Sequence, residues 1–470
     1  MKIKNILVLI VSFISVVSCM DPDEFLDVIP TGQVIPTTLE DFDGLLNDYA
    51  ILRSRGVNLT YMDPDVYHSD VTFTPFSSNL VNVNAYTWQY ELYDVTGNDN
   101  DYNVGYQYIT YMNTILQDVD SAEPGNFQES ERNNIKAQAL AQRAMELFLT
   151  VNEYAHHYDP ANPDIPGIGM PLVVDLEVLI GRSTVGEVYE QILRDLTTAI
   201  NLTTETFPNI QRFANFRPGK ASLYALLAEV NLYMGDFEQA KINSDIALSL
   251  YDFLYDFKDI EFKDPTNLWS GYTIDDWEFC TTNKEVIWSR YNNFYFSITF
   301  PGPQLISPEL EALYNQQNDK RWQLFTTQDA GLDVSPYNMF AYFNAERVNG
   351  LSTPRLLLTN AEAKARTGDG PGAIQALNTL LEKRLINFTP LTHTDNATTL
   401  QLVKNERRKE LVGTTLNLFD QKRYHVYGDA VPTYTRTNPL TGETFTLQPG
   451  DDGYVVAIPA AVREINPNLN

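Results

Sequence analysis

The sequence predicts a mainly α protein, a tetratricopeptide-like helical repeat scaffold with long irregular loops and a few short strands. Three observations predict this class. Long segments carry hydrophobic residues at helical spacing, one helix-turn-helix pattern occurs twice, and the segments between them are aromatic and lack helical period. Of the 470 residues, 43% are hydrophobic, which is enough for a large core.

The first 18 residues are predicted to be a lipoprotein signal peptide. Two lysines precede an apolar run, 6–17, that stops at Ser18-Cys19. Such a run is short for a membrane span, and a small residue directly before a cysteine resembles a bacterial lipobox. Cys19 is therefore the predicted lipidation site, where several acyl chains would form a stable anchor. The alternative is an ordinary signal peptide with a coincidental cysteine.

The remainder of the chain is predicted to lie in water beside a membrane. The acidic residues of 20–24 resemble a surface-export signal of Bacteroidetes lipoproteins, although a short solvated linker would have a similar composition. No later stretch approaches about 18 uninterrupted apolar residues, the length that a transmembrane helix needs. A net charge of −28 repels phosphate backbones, so nucleic acid is an unfavourable partner.

Two long helices are predicted from periodicity. From Val185 to Ile200 apolar residues recur at three-and-four spacing, with Thr184 as N-cap and Glu187 completing a capping box. A second helix is predicted from about Arg132 to Tyr154. Cys280 is expected to be a small core residue, and the turn-rich segment 430–460 is expected to form a hairpin.

The repeat consists of two copies offset by 133 residues. Ala228-Glu229 and Ala361-Glu362 are each followed by a Gly-Asp pair, at 235–236 and 368–369, and then by an alanine. The glycine can end a helix with positive φ, the aspartate can cap the next helix, and the alanine allows close packing. This pattern is typical of a tetratricopeptide unit.

We predict one domain over residues 19–470. Its helical repeat core would occupy about 105–250 and 352–428. Irregular, ligand-facing insertions of loops and short strands would occupy about 60–105 and 251–350, because rigid scaffolds commonly carry function on such segments.

The order of these features resembles the SusD/RagB family of Bacteroidetes nutrient-binding outer-membrane lipoproteins. The blocks that carry the resemblance follow one another along nearly the whole chain: Phe25 to Pro30, Leu39 to Asn47, Gly169 to Leu172, Arg182 to Tyr189, Phe216 to Ala240, Arg355 to Arg384, Glu406 to Leu411, and Ile458 to Leu469. The last block is the most specific. Around 98–103 the chain lacks a tryptophan that family members often carry, which weakens any transfer of ligand contacts.

The resemblance implies a cell-surface protein that binds a nutrient oligosaccharide, or a peptide, and delivers it to a TonB-dependent SusC-like outer-membrane transporter. It implies no cofactor. It also implies a fold of four tetratricopeptide-like units packed against an irregular half, with the acylated Cys19 in the outer membrane and the body facing the extracellular side.

No motif in the sequence supports catalysis or a metal site. Serine-hydrolase, zinc-protease and phosphate-binding loop motifs are absent, and 61 acidic residues create carboxylate pairs by chance. His156 and His157 are adjacent, so on a helix they diverge and cannot chelate one metal. Asp99 and Asp101 imitate the start of a calcium loop, but the following glycine is displaced by one residue, which favours a structural turn.

The candidate ligand contacts are aromatic side chains, because flat rings can stack on the CH faces of sugar rings. The earlier loop offers Trp88, Tyr90 and Tyr93. The later segment offers the densest group: Trp269, Tyr272, Trp277, Trp288, Arg290, Tyr291, Phe294 and Tyr295. We predict that the site draws on both segments. Alternatively, residues such as Trp277, Phe279 and Trp288 fill core between loop and helices.

Two other functions fit the same sequence features. The chain could be a surface glycoside hydrolase, in which case glycans would be turned over. It could instead be a surface scaffold for peptides or proteins, in which case a barrel partner would bind without affinity for small ligands.

Overall fold

The computed structural model describes residues 36–47, 57–175, 177–205, 215–267, 270–277, 280–290, 304–329, 333–340 and 350–470. This part of the chain is mostly helical, as the sequence predicts. The predicted signal peptide and Cys19 lie outside the described residues. Each helix in the described ranges is too short or too polar to span a lipid bilayer.

Sixteen α-helices occur in the described ranges. In chain order, α1 to α16 are Leu39–Leu46, Val57–Met62, Asp70–Phe76, Leu80–Tyr86, Asn100–Asp118, Glu131–Tyr154, Val185–Leu202, Lys220–Met234, Phe237–Leu250, Pro308–Glu311, Lys320–Phe325, Thr353–Arg366, Gly370–Glu382, Asn396–Glu410, Leu416–Val426 and Ala460–Ile465. The long helices pack against their neighbours in the sequence, α5 on α6, α6 on α7, α8 on α9 and α12 on α13. Short helices α2 to α4 occupy part of the first insertion, where we expected loops and strands.

The two helices predicted from periodicity are confirmed as α6 and α7. Thr184 caps α7, accepting a hydrogen bond from the Glu187 backbone at 3.1 Å, and the Glu187 carboxylate accepts one from the Thr184 backbone at 2.8 Å. These reciprocal bonds satisfy backbone donors that the first turn of a helix leaves free. Cys280 is also buried, as predicted.

The predicted repeat corresponds to the pairs α8–α9 and α12–α13. Gly235 has a φ of 79° and Gly368 a φ of 85°, so each turn uses the left-handed backbone that glycine tolerates. Asp236 caps α9 and Asp369 caps α13, each through its carboxylate. The sequence pattern therefore located both turns correctly.

The glutamate of each repeat copy is a buried ion-pair acceptor. Glu229 on α8 is held by Arg355 at 3.0 Å and Arg407 at 2.9 Å. Burial by itself would raise the pKa of Glu229, but the two guanidinium groups outweigh it and lower the pKa to about 2. Glu362 on α12 is held in the same way by Arg423, at 2.7 Å, and Arg366, at 2.8 Å. These pairs connect α8 and α12 to α14 and α15 through the centre of the scaffold.

The described strands are short and form four small sheets. The ten strands are β1 Val66–Tyr67, β2 Pro166–Gly169, β3 Arg182–Thr184, β4 Val286–Trp288, β5 Leu305–Ile306, β6 Thr326–Thr327, β7 Met339–Phe340, β8 Leu351–Ser352, β9 Tyr434–Thr437 and β10 Thr444–Leu447. Pairs β2–β3, β4–β8 and β9–β10 are antiparallel. The last pair is the hairpin that the sequence predicts between 430 and 460.

Candidate ligand-binding face

The two irregular insertions meet in one four-stranded sheet of order β1-β5-β7-β6. Strand β1 belongs to the first insertion, and the other three strands belong to the second. Val66 pairs with Ile306 and Tyr67 with Leu305 in antiparallel register. The segments that we predicted to share a ligand site are therefore neighbours, and this sheet defines the candidate ligand-binding face.

A pair of tyrosines stands on this face. The rings of Tyr67 and Tyr337 lie 5.4 Å apart with a tilt of 44°, and both side chains are only partly buried. They pack on a small apolar cluster of Leu305, Val334 and Met339, which supports the rings from beneath. Burial and the neighbouring Tyr337 raise the pKa of Tyr67 to about 12, so its hydroxyl stays protonated at neutral pH and can donate a hydrogen bond.

Arg436, from strand β9, holds the first insertion in place. Its guanidinium donates hydrogen bonds to four backbone carbonyls of that insertion: Tyr61 at 2.9 Å, Tyr86 at 2.7 Å, Val66 at 2.7 Å, and Asp63. The same group lies 4.2 Å from the ring of Tyr86 and 4.4 Å from that of Trp88. Burial lowers the pKa of Arg436 to about 10, so it remains charged at neutral pH.

The turn before β1 is fixed from below by the scaffold. Arg408 on α14 forms an ion pair with Asp65, with its Nε 2.9 Å from both carboxylate oxygens. Asn417 on α15 donates to Asp63 at 2.9 Å and to Asp65 at 3.0 Å. Burial and the adjacent Asp65 raise the pKa of Asp63 to about 7. Tyr67, two residues after Asp65, is thus positioned by long-range contacts to α14, α15 and β9.

Of the predicted contacts in the earlier loop, Trp88 is buried and the two tyrosines are not fully covered. Trp88 has a φ of 56°, and its indole donates to the Met62 carbonyl at 2.8 Å. Tyr93 is partly buried and donates to Asn58 at 2.7 Å. Tyr90 is 40% exposed, which makes it the most accessible aromatic of this group.

The candidate ligand contacts of the later segment that fall in the described residues are buried. Tyr272 packs edge-on against Trp277 at 4.6 Å, within a core cluster formed mostly by the second insertion itself. Trp288, on β4, donates to the Phe216 carbonyl at 3.1 Å, and Arg290 lies 3.4 Å from Glu146 of α6. Trp288 and Arg290 thus contact the scaffold, whereas Tyr272 and Trp277 pack within the second insertion. A ligand could reach them only after a rearrangement.

Several other candidates, Trp269, Phe279, Tyr291, Phe294 and Tyr295, lie outside the described residues, and their role as contacts or core stays a prediction. Sequence reasoning did not single out Tyr67 or Tyr337, because two-residue strands have no detectable period.

The calcium-like and histidine motifs have structural roles. Asp99 caps α5, accepting from the backbone of Asp101 at 3.0 Å and of Tyr102 at 3.2 Å. His156 and His157 follow the end of α6. His156 contacts Asp452 at 3.0 Å, and His157 is buried against aromatic rings. Within the described ranges, no group of three or more His, Cys, Asp or Glu side chains is arranged to hold a metal ion.

Comparison with known proteins agrees with this architecture. Residues 24–232 match a family model, SusD-like, described as starch-binding and associating with the outer membrane, and residues 356–468 match the SusD family model. The chain belongs to the SusD family. The two matches flank the second insertion, so the family signal lies in the scaffold, the first insertion and the C-terminal hairpin.

Solved structures of SusD-superfamily proteins have the same fold. A protein from Bacteroides fragilis is 20% identical, with a TM-score of 0.71 over 92% of this chain and 99% of its own. One from Bacteroides thetaiotaomicron is also 20% identical, with a TM-score of 0.69 and the same coverage. A SusD-like carbohydrate-binding protein from Bacteroides vulgatus is 22% identical, with a TM-score of 0.66 over 92% of this chain and 97% of its own. A search of curated proteins found no match.

Proposed function

We propose that this SusD-family protein is a non-catalytic surface lipoprotein, anchored through Cys19, that binds a nutrient oligosaccharide and delivers it to a SusC-like TonB-dependent transporter. The observation that carries the proposal is the candidate ligand-binding face, where both insertions meet in one sheet beneath a partly exposed tyrosine pair. Membership of a family described as starch-binding and outer-membrane associated supports the ligand class and the location.

The face has the chemical character of a sugar platform. Two tilted rings supply apolar surface with polar hydroxyl groups, and sugar rings offer apolar CH faces bordered by hydroxyls. The support beneath is rigid, because Arg436 and Arg408 fix the backbone of the first insertion from the scaffold. Such preorganisation lowers the entropy that binding must overcome.

Titration calorimetry of the purified mature chain with a panel of α- and β-linked oligosaccharides tests the binding function. The double variant Tyr67→Ala/Tyr337→Ala should weaken a glycan that binds the parent by about 2 kcal/mol, or about thirtyfold in Kd, as truncation of central aromatic contacts typically does. Tyr111→Ala, on the scaffold helix α5, removes a partly buried ring elsewhere and serves as the matched control. Equal affinity of the double variant and the control would disprove the role of this face.

The second insertion contributes a separate prediction. Trp269→Ala/Tyr291→Ala should also reduce glycan affinity, since both rings belong to the densest aromatic group of the sequence. If binding and thermal stability both remain at parent values, these two residues are neither contacts nor core.

The anchoring and delivery steps need their own experiments. Cys19→Ala should move the protein from the membrane fraction to the soluble fraction and abolish labelling by a radioactive fatty acid. Affinity purification of the parent from envelope extracts should recover a barrel transporter. Release of sugars from the glycan panel would replace the binding function with hydrolysis, and recovery of a barrel partner without any glycan affinity would favour a protein-binding scaffold.

A further inference from the structure

A polar cavity of about 170 Å³ lies on the scaffold side of the molecule, between α14, α15 and the first residue of β9. Its lining includes four carboxamides, two phenol rings and three charged groups: Gln401, Asn405, Asn417, Gln421, Tyr424, Tyr434, Lys404, Arg408 and Asp420. None of the residues predicted from sequence as ligand contacts lines it. We refer to it as the α14–α15 cavity.

The charged groups that line the cavity are all neutralised by partners. Lys404 contacts Asp429 at 3.2 Å, Arg408 is paired with Asp65, and Asp420 accepts from Arg407 at 2.7 Å. Because each charge already has a counter-charge, the cavity offers no net attraction to an ionic ligand. A neutral occupant fits this electrostatic balance.

Some hydrogen-bonding groups at the cavity remain free within the described part of the chain. Gln421 donates through Nε2 to Asn417 at 3.0 Å, which leaves its Oε1 as a free acceptor. Asn405 accepts from Gln401 at 2.9 Å, which leaves its Nδ2 as a free donor. Arg408 uses Nε and Nη2 for Asp65, which leaves Nη1 as a second free donor.

The floor of the cavity is fixed by the scaffold. Gln421, Asn417 and Tyr424 are each more than nine-tenths buried, and α14 packs beside the ion pairs of the repeat. The hydroxyl of Tyr434, which also lines the cavity, is buried without a hydrogen-bond partner in the described residues. Buried polar groups normally find such partners.

We propose that the α14–α15 cavity is a second binding site, for a neutral polyhydroxylated molecule of the size of one sugar ring. Adjacent free donors and acceptors on carboxamide and guanidinium groups match hydroxyls, which both donate and accept. The cavity volume accommodates one sugar ring rather than an oligosaccharide. The site is separate from the tyrosine pair, and it does not depend on the face proposed above for the oligosaccharide.

Saturation-transfer NMR of the mature chain with glucose, galactose, mannose and xylose tests this site. Ala430→Trp should block the cavity, because Ala430 is an exposed lining residue, and Asn405→Ala should weaken binding about tenfold by removing a donor. Ala397→Trp places the same ring on an exposed alanine at the start of α14, outside the lining, and should leave the transfer signal unchanged.

The outcomes separate this site from the oligosaccharide face. A saturation-transfer signal that is lost in Ala430→Trp but kept in Tyr67→Ala/Tyr337→Ala supports sugar binding in the α14–α15 cavity. Signal kept in Ala430→Trp, or no signal with any sugar in the parent, overturns it, whether or not calorimetry detects oligosaccharide binding. Tighter binding of glucuronate than of glucose would overturn the neutral class of ligand.

Discussion

Replacement of Arg436 by methionine should destabilise the protein strongly, because one side chain connects the C-terminal hairpin to four carbonyls of the first insertion. A hydrogen bond from a charged donor contributes about 1.5–3 kcal/mol, so four of them set an upper bound of about 6–12 kcal/mol. The buried guanidinium also carries a desolvation cost of several kcal/mol, consistent with its pKa being lowered to about 10. We therefore expect a net loss of about 3–5 kcal/mol in the free energy of unfolding.

Urea-induced unfolding at pH 7, followed by tryptophan fluorescence and far-UV circular dichroism, measures this loss. Arg436→Lys keeps a charge but offers three donors in a different geometry, so it should recover only part of the stability. The matched control is Arg194→Met on α7, where the side chain is 58% exposed and the change should stay within about 0.5 kcal/mol. A loss below about 1 kcal/mol for Arg436→Met would refute the reasoning.

The same variant should affect function if the proposed face binds glycan. Loss of the Arg436 contacts would free the backbone that precedes and follows β1, so Tyr67 would no longer be held beside Tyr337. Glycan affinity should then fall even in the absence of urea, where the variant is fully folded. Faster protease cleavage within 57–93, compared with Arg194→Met, would locate the change in the first insertion.

Two further predictions concern the repeat. Glu229→Gln should lower the free energy of unfolding by about 3 kcal/mol at pH 7, because the folded-state pKa of about 2 lies below the ordinary value of 4.5. The carboxylate therefore stabilises the folded protein above pH 4.5, and this contribution is lost as the pH falls from 4.5 towards 2. The urea-unfolding curves of parent and variant should converge over this pH range. A difference in unfolding free energy that stays constant down to pH 3 would contradict the prediction. Gly235→Ala should cost about 1–2 kcal/mol because φ is 79°, whereas Gly44→Ala, in helix α1 with no neighbouring atom within 4 Å, should be neutral or stabilising by up to about 1 kcal/mol. Equal thermal midpoints for the two alanine variants would contradict the left-handed turn.

The sequence by itself determined the scaffold. Helices α6 and α7, the capping box at Thr184 and the two Gly-Asp turns all depend on residues a few positions apart, so periodicity and capping chemistry were sufficient to locate them. The family resemblance was equally visible, because its blocks occur in order along the chain, and it is confirmed by the family models.

Only the tertiary structure decided which aromatic side chains are accessible. Pairing of β1 with β5 joins residues 66 and 306, and Arg436 binds carbonyls some 350 positions earlier in the chain. Two-residue strands and single long-range arginines leave no periodic pattern, and the composition of a loop does not say which of its rings a helix will cover. Trp288 and Tyr67 both belong to aromatic segments, yet contacts made across the chain bury the first and leave the second partly exposed.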